Sequence, residues 1–152
     1  MSMPAPKPLS GRFNIPRAPG APAIFAAVMD GDLAAVQSIL KSDPEAPQAR
    51  DRGGNTPLMM AVIFGPERQE IIDLLIEKGA DVNAQNKHGG NALARAAHFG
   101  HKDLVRQLLG LGADPSVKDE AGQDAAAWAR MNGHDDIAAL FKKPSAPKPP
   151  AP

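Results

Sequence analysis

The sequence predicts an all-α solenoid of stacked helix-turn-helix units with projecting turns. Two observations predict it. A set of residues recurs at spacings of 35 and then 33 positions, and between the recurrences lie paired apolar stretches at helical spacing, each closed by glycine. A module of this size cannot bury its own apolar face, so neighbouring modules must stack in a row and the two ends need modified units.

The repeat is set by Asp51, Asn86 and Asp119, each of which opens a segment. Glycine follows three residues later at Gly54, Gly89 and Gly122, alanine ten later at Ala61, Ala96 and Ala129, and glycine fourteen later at Gly65, Gly100 and Gly133. Counting back from Gly31 by the same offset places a fourth, degenerate unit from about Arg17. Its first helix takes in the apolar run Ala21 to Met29, which is too short to cross a bilayer and is preceded by Arg12, Arg17 and several prolines. A repeat helix accounts for this run better than a cleaved signal peptide does. In the second unit, Thr56-Pro57 starts a helix with proline at its first position, and Met59, Met60, Ala61, Ile63 and Phe64 carry it to Gly65. The helix that follows has Ile71, Ile72, Leu74, Leu75 and Ile76 on an apolar face too wide for a free surface helix, and Gly79 closes it. The third unit repeats this over Ala92 to Phe99, then Leu104 to Leu109 up to Gly112. Arg52-Gly53-Gly54-Asn55 and His88-Gly89-Gly90-Asn91 are turn chemistry. The last unit ends at Ile137, Leu140 and Phe141 without a glycine-alanine-aspartate exit, and with the degenerate first unit it forms the caps of the stack.

Proline marks the ends. Eleven of the sixteen prolines flank the repeats, and proline fixes φ and removes a donor, so both flanks are expected to be extended. The expected division is a Pro-rich extension over 1–22, a repeat domain over 23–143 and a Pro-rich tail over 144–152, with units at about 17–50, 51–85, 86–118 and 119–143. The tail carries Pro-Ser-Ala-Pro and Pro-Lys-Pro-Pro, which a proline-recognising domain can bind, although a plain tail is the simpler account.

Composition excludes several kinds of chemistry. Seventeen basic residues balance seventeen acidic ones, so no global field draws the chain to nucleic acid or to an anionic membrane. With no cysteine there is no disulfide framework, thiolate metal site or cysteine nucleophile, which fits a reducing, cytoplasmic setting. The carboxylate pairs Asp30/Asp32, Asp43/Glu45 and Asp135/Asp136 fall at loops and helix starts, where aspartate caps amides. His98 and His101 have a metal-like spacing, but Gly100 separates them and no cluster completes a tetrahedron. No serine lies in a nucleophile elbow, and no glycine pair leads into a phosphate-cradling lysine. Neither an enzymatic role nor a cofactor is expected.

The segments DRGGNTPLMMAVIFG, EIIDLLIEKGADVNAQ, GHKDLVRQLLGLGADPS and NGHDDIAALF resemble ankyrin repeats, and the resemblance extends over about 120 residues. It implies an ankyrin-repeat solenoid that binds another protein and acts without catalysis; a capped stack, with no open sheet edge or exposed apolar end, is expected to be a monomer on its own. It also implies that His101 and His134, in the Gly-His position common in the family, are structural. Two departures stand out. Where the family has Thr-Pro-Leu-His, the third unit has Asn91-Ala92-Leu93-Ala94 and the fourth Asp124-Ala125-Ala126-Ala127, so both are expected to lose the threonine-histidine hydrogen bond that the family uses to brace the helix start, with moderate stability as the result. Between Gly65 and Ile71 the inter-helix loop is two residues longer than its counterpart, either as a tolerated length or as a partner contact.

By the resemblance, the turn tips and the exposed side of each first helix line a concave binding surface. The tips are Arg50, Arg52 and Asn55, then Gln85, Lys87 and His88, then Lys118, Glu120 and Gln123. The helix positions are Met60 and Phe64, then Arg95, His98 and Phe99, then Trp128, Met131 and Asn132, with Met29 and Asp30 in the first unit. A mixture of aromatic residues, methionine and arginine is what protein interfaces concentrate at their energetic centres. Trp128, the sole tryptophan, is equally consistent with interface and with packing at the end of the stack against Phe99 or the tail. The basic tips suggest an acidic or mixed-charge partner. Masking or inhibition of an enzyme or toxin is favoured slightly over scaffolding, since a single compact unit has little else to recruit. Nucleic-acid or small-ligand binding at the basic tips and a metal-dependent enzyme remain the competing classes.

Overall fold

The computed structural model describes residues 22–141. The Pro-rich segments at either end, with their proline motifs, and the start of the first unit at Arg17 lie outside the described residues. Among the described residues there are eight α-helices and no strand. They are α1 (Ala23–Asp30), α2 (Leu33–Ser42), α3 (Pro57–Phe64), α4 (Gln69–Glu77), α5 (Ala92–Phe99), α6 (Lys102–Gly110), α7 (Ala125–Met131) and α8 (Asp135–Phe141), with 3-10 turns at Ala46–Gln48 and Gly65–Arg68. The odd-numbered helices pack in succession as an inner layer, α1 on α3, α3 on α5 and α5 on α7. Each is backed by its even-numbered partner.

The recurring alanines explain how closely the inner layer packs. Ala61, Ala96 and Ala129 are fully buried where one inner helix meets the next, and a larger side chain there would hold the helices apart. The outer helices add Ile72, Leu75, Leu104, Val105, Leu108 and Ile137 to one continuous core. At roughly 25 cal/mol per Å² of apolar surface removed from water, this core is the main stabilising term.

The residues that open each unit hold the turns. Asp51 Oδ1 accepts from the backbone N–H groups of Gly53 and Asn55, both at 2.9 Å. Asn86 Oδ1 does the same for His88 and Gly90, and Asp119 Oδ1 for Ala121 and Gln123. The backbone closes each turn through the glycine three residues on, at positive φ in Gly54, Gly89 and Gly122. Adjacent tips are joined by Lys87 N–H to Gly53 O and by Glu120 N–H to His88 O, each 2.9 Å.

One expectation is corrected here. The third and fourth units do not lose the brace at the helix start. Thr56 Oγ1 caps α3 by accepting from Met59 N at 3.2 Å, and Asn91 Oδ1 and Asp124 Oδ1 accept from Ala94 N and Ala127 N at 2.8 Å. Asparagine and aspartate place an acceptor at the same reach as threonine and cap at least as well. The capping role of the acidic residues extends to Asp32, whose side chain accepts from Ala35 N at the start of α2.

The loop inserted after Gly65 has an intramolecular task. His101 sits over Gly65 with Nε2 3.1 Å from Ile63 O, and His134 sits over Gly100. The glycine that ends the first inner helix, Gly31, is covered instead by Arg68 from the inserted loop. Arg68 Nε donates to Val28 O at 3.0 Å, a second guanidinium nitrogen donates to Met29 O at 2.9 Å, and the group lies 4.3 Å above the Phe64 ring. In each case a planar nitrogenous side chain lies on a glycine where a Cβ would collide with it. In two of the three it also hydrogen-bonds carbonyls at the end of an inner helix, Ile63 O from His101 and Val28 O and Met29 O from Arg68.

Candidate functional site

A cleft of about 260 Å³ opens between α5, α7 and the turns that precede them. It is lined by Asn86, His88, Gly90 and Asn91, by Ala94, Arg95, His98 and Phe99 of α5, and by Asp119 and Trp128. Trp128 reaches it because the Asp124 cap fixes the start of α7 one turn earlier. The indole is then pinned: Nε1 donates to Asp119 Oδ2 at 2.8 Å, and the ring packs on His98 at 5.1 Å between centroids. His98 in turn packs on Phe99 at 4.6 Å, and Asn132 donates to the Trp128 carbonyl at 2.8 Å. Trp128 is therefore braced through His98 and Asp119, and it lines the cleft at the same time.

Arg95 also lines the cleft. It is half-buried, and one guanidinium nitrogen donates to Asn55 Oδ1 at 2.6 Å, an oxygen that also accepts from Asn86 Nδ2 at 2.9 Å. Burial pushes the guanidinium below the ordinary arginine value, and the nearby Asp51 carboxylate opposes that shift. On Asp119, desolvation pushes the carboxyl up, but the bonds from Gln123 N, the Trp128 indole and Ala121 N together hold it below the usual carboxylate value.

Of the residues expected from sequence, the structure brings His88, Arg95, His98, Phe99 and Trp128 together around the cleft, and Asn55 joins them through Arg95. Phe99 is 46% exposed and Met131, on the neighbouring inner helix, 63%; among the described residues the other large apolar side chain exposed to this degree is Leu111, after α6. Glu120 lies at the rim, 2.8 Å from His88 Nδ1. Gln123 closes its turn with Asp119. Arg52 and Lys87 are exposed at the tips, and Arg50 is tied down by donating to Gly54 O and Gln85 O. Met60 and Phe64 do not line the cleft: Met60 packs against the core, and Phe64 lies under Arg68. The His98 and His101 rings face different neighbours, one Trp128 and the other the Ile63 carbonyl. Asp136, one of the paired carboxylates, lies 3.4 Å from Lys102.

The cleft also uses Asn86, Asn91, Ala94 and Asp119, which sequence reasoning assigned to turns and helix starts alone. For Asp119 a signal was available. A buried or half-buried indole N–H needs an acceptor, and the acidic turn residue of the same unit is within its reach.

Fold and cleft define a helical repeat scaffold whose exposed chemistry sits on projecting turns and on one row of inner helices. Residues 10–86 match a family described as ankyrin repeats (3 copies), and residues 66–109 match another described as ankyrin repeats (many copies). The first match covers half the chain, and the chain belongs to the ankyrin-repeat family. It is 38% identical over 89 residues to ankyrin repeat and SAM domain-containing protein 6 of Rattus norvegicus, covering 58% of this chain and 10% of that protein. It is 38% identical over 87 residues to the E3 ubiquitin-protein ligase XBAT33 of Arabidopsis thaliana, covering 57% and 17%, and 34% identical over 86 residues to inversin of Mus musculus, covering 57% and 8%. The alignments thus span a small part of each relative. Ankyrin repeats are generally protein-protein interaction modules and are typically non-catalytic. Among the described residues no helix is long and apolar enough to cross a membrane.

Proposed function

We propose that the chain is a stoichiometric protein-binding module whose partner docks on the concave side, centred on the cleft between α5 and α7, so that the chain acts as an inhibitor or an adaptor. In this reading the repeat domain spans 23–143 and works as a cytoplasmic monomer. The observation that carries it is the cleft itself. Trp128 and Arg95 are held by hydrogen bonds before any partner arrives, beside the exposed Phe99 and Met131. Such preset aromatic and arginine anchors lose little entropy on binding, and anchors of this kind dominate interface energies. A stack of this size presents on the order of 800 Å² to a partner, enough for micromolar to nanomolar affinity.

The test is capture from the native host with three baits: wild type, Phe99→Ala/Met131→Ala and Arg95→Gln/Trp128→Ala. The first double variant removes exposed side chains and leaves the hydrogen bonds intact, so its loss of capture with an unchanged melting curve reports on binding alone. A partner held equally by all three baits would remove the concave-face reading.

A further inference from the structure

The chemistry of the cleft narrows what it accepts, given that it is the binding site just proposed. We propose that the cleft reads an acidic-hydrophobic pair on the partner polypeptide, with Arg95 receiving an aspartate or glutamate carboxylate and Trp128 and Phe99 receiving the large apolar residue beside it. Arg95 supplies the first half. A guanidinium offers five donors in a planar fork, and the direct partner here is the neutral Asn55 amide oxygen. Half-burial costs the charge part of its hydration, and Asp51 is near enough only to moderate that cost. A carboxylate entering the cleft is the group that best complements such a fork, through paired charge-assisted bonds.

The acidic groups of the same cleft are already engaged. Asp119 accepts through Oδ1 from Ala121 N and Gln123 N and through Oδ2 from the indole, while Glu120 at the rim holds His88. Lys87 and Arg52 extend the positive side at the tips. Trp128 packed on His98 and His98 on Phe99 form a continuous aromatic surface in the same cleft. At about 260 Å³ the cleft falls short of the roughly 300–1,000 Å³ typical of small-molecule pockets, which suits side chains delivered by a polypeptide better than a free metabolite.

The experiment is selection of a random-peptide library on the full chain, followed by titration of synthetic winners against Trp128 fluorescence, which reports from the cleft because no other tryptophan exists. The library is drawn without tryptophan, so that Trp128 stays the sole indole, and the expected winners carry Asp or Glu within two residues of Phe, Tyr or Leu. They shift the Trp128 emission, and they weaken about tenfold or more when the acid is changed to its amide. That swap is made on the peptide, so it tests the inference on wild-type protein whatever the stability of any variant. Arg95→Gln should erase the difference between acid and amide, whereas Phe99→Ala weakens both alike. Winners that shift Trp128 with no preference for the acid overturn the carboxylate reading and leave the cleft standing as an apolar docking site. Winners that leave Trp128 unchanged and bind Phe99→Ala/Met131→Ala as tightly as wild type overturn both this inference and the proposed site, as does a library with no winner that shifts Trp128.

Discussion

Replacing Arg68 with alanine removes the brace that closes the first inner helix. Two charge-assisted bonds are lost, to Val28 O and Met29 O, from a side chain only 14% exposed. Hydrogen bonds from a charged group contribute about 1.5–3 kcal/mol each, and the stacking on Phe64 about 0.5–1 kcal/mol. Water reaching the freed carbonyls recovers part of this, so the net loss is expected near 2–4 kcal/mol, or about 10 °C in Tm for a domain of this size. The Glu67 contact at 3.8 Å is exposed on its acidic side and contributes little. Because a repeat stack is stabilised mainly by nearest-neighbour contacts, the damage should concentrate at one end. Urea denaturation gives the total, and native-state amide exchange gives its location: α1 and α2 lose protection while α5 to α8 keep theirs. Arg68→Lys retains a charge without the fork and should recover less than half of the loss. A change below about 0.5 kcal/mol for Arg68→Ala, or protection lost evenly along the chain, would refute the brace.

Two further outcomes follow from the same geometry. Gly100 and Gly112 both have positive φ, 79° and 94°, but a Cβ at Gly100 would lie 2.7 Å from His134 Cε1 while one at Gly112 meets nothing within 4 Å. Gly112→Ala should therefore cost only the left-handed strain, about 1–2 kcal/mol, and Gly100→Ala about 1–3 kcal/mol more, as read by urea midpoints. Asp119 supplies the second: with its folded-state pKa below the ordinary carboxylate value, its contribution is present above that ordinary value and is lost as pH falls through the lowered one. The indole N–H resonance of Trp128 should move with that titration in wild type and stay flat in Asp119→Asn.

The fold was legible because each repeating residue has a local task that its chemistry reveals. Asp51, Asn86 and Asp119 hold turns through one side-chain oxygen, and Ala61, Ala96 and Ala129 let inner helices approach, so periodic sequence signals became periodic structure. The misjudged point was the helix start. Asn91 and Asp124 differ from the family's threonine in name but present an acceptor to the same amide, and capping depends on the acceptor. The Arg68 brace escaped notice for the opposite reason. It acts across about forty positions on carbonyls of another unit, and no local spacing encodes that partnership.

The candidate site was legible only in part, and the shortfall lies in side-chain contacts that sequence offset does not resolve. Phe64 and Phe99 hold equivalent positions on successive inner helices. One lies beneath the Arg68 guanidinium and the other is left exposed beside His98, because only the second unit carries the inserted loop that delivers Arg68. The insertion thus occupies the aromatic position of the second unit and leaves that of the third open, which helps set the candidate surface toward α5 and α7. The same side chains that would bind there also hold neighbouring units together: Arg95 through Asn55, and Trp128 through His98. Substitutions at Arg95 or Trp128 accordingly mix stability with recognition, and Phe99 and Met131, exposed and without a hydrogen bond to lose, are the positions at which the two can be separated.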